Sequence, residues 1–252
     1  MTTWPKALLV DYGGTLVEDT KFNPRGGNEW LLTRAVHRPP HVTLEHVLVR
    51  AERVASELSA RRDEFQVEVP WPMVMRLVHD FLGVRFEDPM SALELGFWQA
   101  TVKTRPKAGA RDALARLHRA NVPVGVVSNC AYGEHVVRAD LAQHGLTDHL
   151  AFIMVSAEYS VRKPNVLLFD TAAARLGIAP QDIWFVGDRL DTDVAGAKAA
   201  GMTAVWLAAS TEANARESES KNACEGAPAR DADLIVRDWE DLVRQYFQRA
   251  SR

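Results

Sequence analysis

Lys6–Leu16, KALLVDYGGTL, decides how this chain is read. Ala7, Leu8, Leu9 and Val10 form a short unbroken apolar run, the pattern of a strand buried on both faces. Asp11 ends the run, and Gly13 and Gly14 follow it, so the backbone can turn sharply and approach a ligand closely. A carboxylate held at such a strand end is a candidate nucleophile or metal ligand.

Two later apolar runs end in the same way. Val122–Val127 leads into Ser128 and Asn129, and Ile183–Val186 leads into Gly187 and Asp188, with Asp191 and Asp193 close behind. From Pro106 onward strands and amphipathic helices alternate, which is the sequence signature of a parallel sheet covered on both faces. The expected helices are Ala110–Ala120, Glu134–His144, one opening at Pro164 and a closing one over Asp238–Phe247. The remaining strands are expected at Phe152–Val155, Thr203–Leu207 and Leu234–Val236, and the small-residue helix DVAGAKAAG is expected to pack close to the sheet.

Between Leu16 and Pro106 the pattern is different. VEDTKFNPRGG is polar and turn-rich and reads as a loop leaving the core. Asn28–His37 reads as a first helix, stopped by Pro39 and Pro40. Thr43 caps a long second one carrying Leu44, Val47, Leu48, Ala51, Val54, Ala55 and Leu58 on one face. A third carries Val74, Leu77, Val78, Phe81 and Leu82, and Asp88 before Pro89 opens a fourth. Four amphipathic helices with short connections make a small bundle. Residues 18–103 are therefore expected as a helical insertion, and 1–17 with 104–252 as the α/β core. Ser210–Asp231, polar and without periodicity, reads as a surface loop.

Composition restricts the function classes. The chain has 252 residues, 47% hydrophobic and 25% charged, and a formal net charge of −3, so it carries no basic footprint for nucleic acid and no polybasic arm for membranes. Cys130 and Cys224 stand too far apart in sequence for a disulfide framework or a cysteine metal site. The N-terminus lacks a secretory pattern and no run is long enough to span a bilayer, so the expected location is cytoplasmic, as a monomer or homodimer.

The strand-end residues suggest a chemistry. Asp11 with the Asp188 cluster concentrates negative charge that a divalent cation would neutralise, and all-oxygen ligands suit Mg²⁺. Ser128 and Lys163, the latter just before Pro164, are placed to bind phosphate oxygens, leaving Asp11 to attack phosphorus in line. An aspartyl-phosphate is the natural result.

These motifs resemble those of the haloacid dehalogenase (HAD) superfamily hydrolases with a helical cap inserted after the first strand. DYGGTL at Asp11 is similar to the family's Asp-led DxDGT loop, VVSN at Ser128 to its second motif, RKP at Lys163 to its lysine motif, and GDRLDTD at Asp188 and Asp193 to its acidic motif. The resemblance implies an α/β fold, a Rossmann-like parallel sheet core with an inserted α-helical cap bundle. It implies Asp11 as nucleophile, Asp11, the Gly13 carbonyl and Asp188 as Mg²⁺ ligands, and Ser128, Asn129 and Lys163 on the phosphate, with Asp193 orienting the lysine or a metal-bound water. Arg25 is the cap residue expected to touch a small phosphorylated substrate.

One position departs from the pattern. The family's phosphatases carry a second Asp two residues after the nucleophile, as acid and base for the leaving group and for water, and here that residue is Gly13. Glu18 or Asp19, just beyond, is the expected replacement. Two alternatives follow: a 2-haloacid dehalogenase, which also lacks that Asp and shows Ser-Asn after the second strand, and a weakly catalytic or inactive binding protein. The histidines, Trp30, Phe97, Trp98, Trp184 and Cys130 read as surface or packing residues.

Overall fold

The computed structural model describes residues 5–208 and 231–250. The chain runs β1 (Ala7–Val10), β2 (Val17–Phe22), α1 (Pro24–Arg34), α2 (Leu44–Phe65), α3 (Trp71–His79), α4 (Met90–Thr101) and β3 (Val102–Pro106). It continues through α5 (Ala110–Arg119), β4 (Val124–Ser128), α6 (Glu134–Gln143), β5 (Phe152–Val155), the short α7 (Ser156–Tyr159), α8 (Val166–Leu176) and β6 (Ile183–Gly187). The last elements are α9 (Ala195–Ala199), β7 (Thr203–Leu207), β8 (Leu234–Val236) and α10 (Trp239–Ala250). The expected Ser210–Asp231 loop, apart from Asp231, and Cys224 lie outside the described residues.

Six strands form one parallel sheet in the order β5-β4-β1-β6-β7-β8, which confirms the α/β reading. All four β1 residues are fully buried. Alternation along the strand sends Leu8 and Val10 into one core, with Leu114, Leu141 and Trp239, and Ala7 and Leu9 into the other, with Phe169, Phe185 and Val194. Burying each such Leu or Val contributes about 1.5–3 kcal/mol, so β1 is held firmly from both sides. Its position beside β4 and β6 places the carboxyl ends of the three polar-tipped strands next to one another.

The segment after Leu16 corrects the loop reading. Val17–Phe22 pairs antiparallel with Val102–Pro106, Glu18 opposite Arg105 and Asp19 opposite Thr104. The sequence hides this ribbon because most of β2 faces solvent and its partner lies on the far side of the inserted helices. The first helix also starts earlier than expected. Asn23 accepts from the Gly26 N–H at 3.1 Å and Pro24 takes the first helical position, so Arg25 and both glycines belong to the opening turns. Gly27 is there for packing: a Cβ on it would lie 2.0 Å from Thr101 Oγ1, and one on Gly96 would lie 2.0 Å from the Trp30 ring, so α1 and α4 pack closely through both glycines.

Other boundaries move for identifiable reasons. Thr43 caps α2 as expected, in a capping box with His46. Asp88 does not cap α4: its carboxylate takes two bonds from Arg34, at 2.9 and 3.0 Å, and Pro89 holds the cap position. The expected helix at Pro164 begins at Val166, capped by the Asn165 side chain. In α9 the small residues give close approach to a helix as well as to the sheet, because a Cβ on Gly196 would meet the Phe169 ring of α8 at 2.3 Å. Among the described residues no helix is long and apolar enough to cross a membrane.

Candidate active site

Asp11 leaves β1 with its N–H bonded to Val186 O at 2.9 Å and its carboxylate almost buried. Lys163 reaches it from the loop before α8. The Lys163 ammonium donates to Asp11 Oδ1 at 2.7 Å and to Val127 O at 2.9 Å, and pairs with Asp193 Oδ1 at 2.7 Å. Two hydrogen bonds and the ion pair with Asp193 thus fix the ammonium between the two carboxylates. Burial works against its charge, yet Asp11 and Asp193 hold its pKa above the ordinary lysine value.

Asp188 stands at the end of β6 on the other side. Asp11, Asp188 and Asp193 each present an oxygen within 4.8 Å of the others. Burial first, then the charges of Asp11 and Asp193, push the Asp188 carboxyl up to about 7; burial also raises Asp193, to about 6, against the pull of Lys163. Three carboxylates and one ammonium leave an excess of negative charge, the condition a divalent cation with oxygen ligands relieves. The donor set therefore fits Mg²⁺.

Local structure explains how the acidic residues are sorted. Gly14 has φ of +81°, and a Cβ there would lie 2.3 Å from Asp188 Oδ2, so the loop after Asp11 can pass the carboxylate only as glycine. After Asp188 the chain opens into a wide turn, Leu190–Val194, closed by an Ala195 N–H to Leu190 O bond. The turn brings Asp193 back, where Oδ2 accepts from the Arg189 N–H at 3.1 Å. Asp191 points its carboxylate at Arg189 instead and is outside the cluster.

The remaining expected site residues divide. Ser128 ends β4 at 3% exposure, and its hydroxyl makes no hydrogen bond to the other described residues, so it is available to a ligand. Asn129, expected on the phosphate, has both ends of its amide on the Lys163 backbone, Oδ1 accepting from N–H at 2.7 Å and Nδ2 donating to the carbonyl at 2.9 Å. Arg25, expected to touch substrate, is engaged elsewhere in this structure. It lies on the exposed first turn of α1, paired with Glu45 at 2.7 Å and Glu29 at 3.4 Å. Glu18 does not fit the missing acid, because Arg105 at 2.7 Å and Lys107 at 3.4 Å outweigh burial and hold its carboxyl below the usual range. Cys130 is no nucleophile, since burial pushes its thiol up to about 12.

Several supporting residues carry no sequence signal at all. Trp239 donates its indole N–H to Thr15 O at 2.8 Å, and Trp206 donates to Asp188 O at 3.0 Å, so two indoles fix the loops that carry the carboxylates. Tyr12, next to Asp11, donates to buried Asp140 at 2.6 Å, and Thr104 of the ribbon donates to the other Asp140 oxygen at 2.7 Å. These pairings join distant parts of the chain, and no local spacing announces them.

A family profile for haloacid dehalogenase-like hydrolases matches residues 5–201. The chain belongs to this hydrolase family. The chain is 31% identical over 158 residues to the ribulose-1,5-bisphosphate 5-phosphatase of Halopiger xanaduensis, covering 62% of this chain and 65% of that protein, just under two thirds of its length. It is 28% identical over 214 residues to the phosphoglycolate phosphatase of Xylella fastidiosa, covering 84% and 85%. Among solved structures it superposes on a 2-haloacid dehalogenase from Pseudomonas syringae with a TM-score of 0.65 at 20% identity, over 98% of this chain and 99% of the other, a likeness of fold.

The raised Asp188 carboxyl has a consequence for the metal-free protein. Its folded pKa lies above the unfolded carboxylate value near 4, so its protonation favours the native state at low pH and that contribution is lost as pH rises through about 7. In chelator-containing buffer, Asp188→Asn is expected to melt above the parent protein at pH 8, with the gap closing by pH 5. Thermal melts of both proteins at the two pH values check this, and a gap independent of pH would contradict it.

Proposed function

We propose that the hydrolase removes the phosphoryl group from a small phosphorylated metabolite through an aspartyl-phosphate on Asp11, with Mg²⁺ as cofactor. The observation that carries the reading is the meeting of Lys163 with Asp11, Asp188 and Asp193 beyond neighbouring strand ends, with Ser128 ending the adjoining strand β4. The phosphatase names of the Halopiger and Xylella relatives support it. Asp11, Asp188 and the Gly13 carbonyl would hold the ion, which supplies charge neutralisation between carboxylates and phosphate.

The chain's own residues divide the work. An Asp11 carboxylate oxygen attacks phosphorus, the bond to the leaving oxygen breaks, and the electron pair departs with the alkoxide. Water then attacks the same phosphorus, the bond to the Asp11 oxygen breaks to restore the carboxylate and free inorganic phosphate, and the proton the water gives up passes through solvent to the departed alkoxide. Ser128 donates to a phosphate oxygen. Lys163 orients Asp11 and adds positive charge at short range, while Asp193 and Asn129 hold Lys163 in place. Residues 18–103 act in this reading as a cap over the core of 1–17 and 104–252, excluding water when closed.

A panel of phosphorylated metabolites assayed with Mg²⁺ and with chelator tests the reading. Phosphate release confined to the Mg²⁺ arm is the expected result. Halide release from a 2-haloacid in the presence of chelator would replace it with the dehalogenase reading, and Mg²⁺-dependent ligand binding without turnover would replace it with a binding protein.

Gly13 can be tested directly, because a Cβ on it meets no atom within 4 Å and its φ lies outside the left-handed region. Gly13→Asp is therefore tolerated sterically and returns a carboxylate to the position of the missing acid. Turnover of an alkyl phosphate, a poor leaving group, is expected to rise about 10²-fold, the lower end of general acid–base assistance. Unchanged turnover of that substrate would show that leaving-group protonation is not limiting.

A further inference from the structure

The loop after β1 carries its own internal bonds. The Leu16 and Val17 N–H groups both donate to Tyr12 O, at 2.8 and 3.1 Å, and the Gly14 N–H donates to Val17 O at 2.7 Å. These set the shape of the loop and leave its placement to bonds made outside it. Beyond the glycines it is held by Trp239 at Thr15 O and by the Lys107 N–H, which donates to Leu16 O at 2.9 Å. Gly13 itself is lightly supported, because a Cβ on it would meet no atom within 4 Å and so nothing packs against that face. Two adjacent glycines make the stretch soft, and the peptide between Asp11 and Gly13 therefore depends on how Tyr12 is held.

One buried group anchors it. The Tyr12 ring lies in the core with Leu114 and Leu141, and its hydroxyl donates to Asp140 Oδ2 at 2.6 Å. Asp140 comes from α6, is 4% exposed, and takes two more donors on Oδ1, Thr104 Oγ1 at 2.7 Å and Gln143 Nε2 at 2.7 Å. The Thr104 hydroxyl gives its one proton to Asp140, so His144 Nε2, 2.8 Å away, donates to it in turn. A buried polar network with its members paired in this way holds its partners rigidly. Thr104 belongs to the β2–β3 ribbon, through which the helical insertion joins the core. One carboxyl group thus ties the residue after Asp11 to the ribbon and to α6.

We propose that Asp140 is a positioning residue for the loop that carries Asp11, acting through the Tyr12 hydroxyl. Held at its far end, the Tyr12 side chain fixes the peptide that joins Asp11 to Gly13, and with it the aim of the Asp11 carboxylate and of the Gly13 carbonyl. The catalytic consequence rests on the hydrolytic reading, and the structural one on the bond between Tyr12 and Asp140 alone. Gln143 supplies a control, because Gln143→Met takes a donor from the same carboxyl group and leaves the bond to Tyr12 in place.

Amide exchange, followed by mass spectrometry on the peptide spanning residues 7–17 in chelator, reads the loop without metal or turnover. In Tyr12→Phe, which keeps the ring, exchange of that peptide is expected to quicken about tenfold while a peptide from β5 is unchanged, and Gln143→Met is expected to match the parent protein in both. Mg²⁺ alone is then titrated calorimetrically, and para-nitrophenyl phosphate serves as substrate. Tyr12→Phe is expected to weaken Mg²⁺ binding and to lower kcat by about tenfold each, with KM within about twofold of the parent value, and Gln143→Met to change none of them. Asp140→Leu is expected to reproduce Tyr12→Phe, and Asp140→Asn, whose side-chain oxygen can still accept from Tyr12, to recover most of the loss. Should Asp140→Leu fail to fold, Tyr12→Phe and Gln143→Met still decide. Loop exchange unchanged in Tyr12→Phe, raised equally in Gln143→Met, or raised together with the β5 peptide would overturn the proposal, and so would quicker loop exchange with Mg²⁺ affinity and kcat intact. A parent protein that neither binds Mg²⁺ nor releases phosphate removes the hydrolytic reading instead, and the exchange comparison still decides whether Asp140 places the loop.

Discussion

Asp11→Asn is expected to lower phosphate release from para-nitrophenyl phosphate by about 10³-fold or more, since in the proposed reaction it removes the attacking oxyanion while leaving the site's shape intact. The Asn oxygen can still accept from Lys163 Nζ, which lies 2.7 Å from Asp11 Oδ1, so the lysine keeps its place. Loss of one charge from the crowded carboxylate cluster relieves repulsion with Asp188 and Asp193. The variant is therefore expected to melt at or above the parent temperature in chelator. That pairing of lost turnover with retained or raised stability separates a nucleophile from a structural residue. Steady-state kinetics with Mg²⁺ and a thermal melt give both readings, and turnover within tenfold of the parent protein would remove Asp11 from the mechanism.

Glu68→Ala is expected to be strongly destabilising although it lies away from the cluster. Glu68 lies in the turn between α2 and α3, with its side chain fully buried, and its Oε2 accepts from Ser156 Oγ at 2.5 Å and from Arg162. Around it the chain from the helical bundle docks on the segment that leads to Lys163. Val67 bridges Val161, the Glu68 N–H meets Ser160 O at 3.3 Å, and the Arg162 N–H meets Gln66 O at 2.9 Å. Removing the carboxylate leaves the Arg162 charge uncompensated. Because the Arg162 side chain keeps 18% exposure, the lower end of the range for a broken buried pair applies, about 3 kcal/mol. At roughly 2–4 °C per kcal/mol for a chain of this size, Tm should fall by about 6–12 °C. Glu68→Gln, which can keep the bond to Ser156, should recover part of the loss. A calorimetric melt decides, and an unchanged Tm for the Ala variant would show that the pair contributes nothing net.

The two residues differ in how visible they are in the chain. Asp11 announces itself: four apolar residues run into a carboxylate and two glycines, and the same grammar repeats at Ser128 and Asp188. Glu68 has no such setting. Its partners Ser156 and Arg162 are distant in sequence, and only the return of the chain past β5 brings them to it.

Periodicity and strand-end chemistry thus marked the α/β alternation, the central place of Asp11, and the Lys163, Asp188 and Asp193 set, because each depends on a short window in which burial and turn preference are written locally. Tertiary packing alone decided the β2–β3 ribbon, whose strands are mostly solvent-facing and pair across the whole helical insertion. It also decided the roles of ambiguous polar residues. Asn129 faces Lys163, Glu18 faces Arg105 and Arg25 faces Glu45, and a carboxamide, carboxylate or guanidinium serves whichever partner the fold delivers.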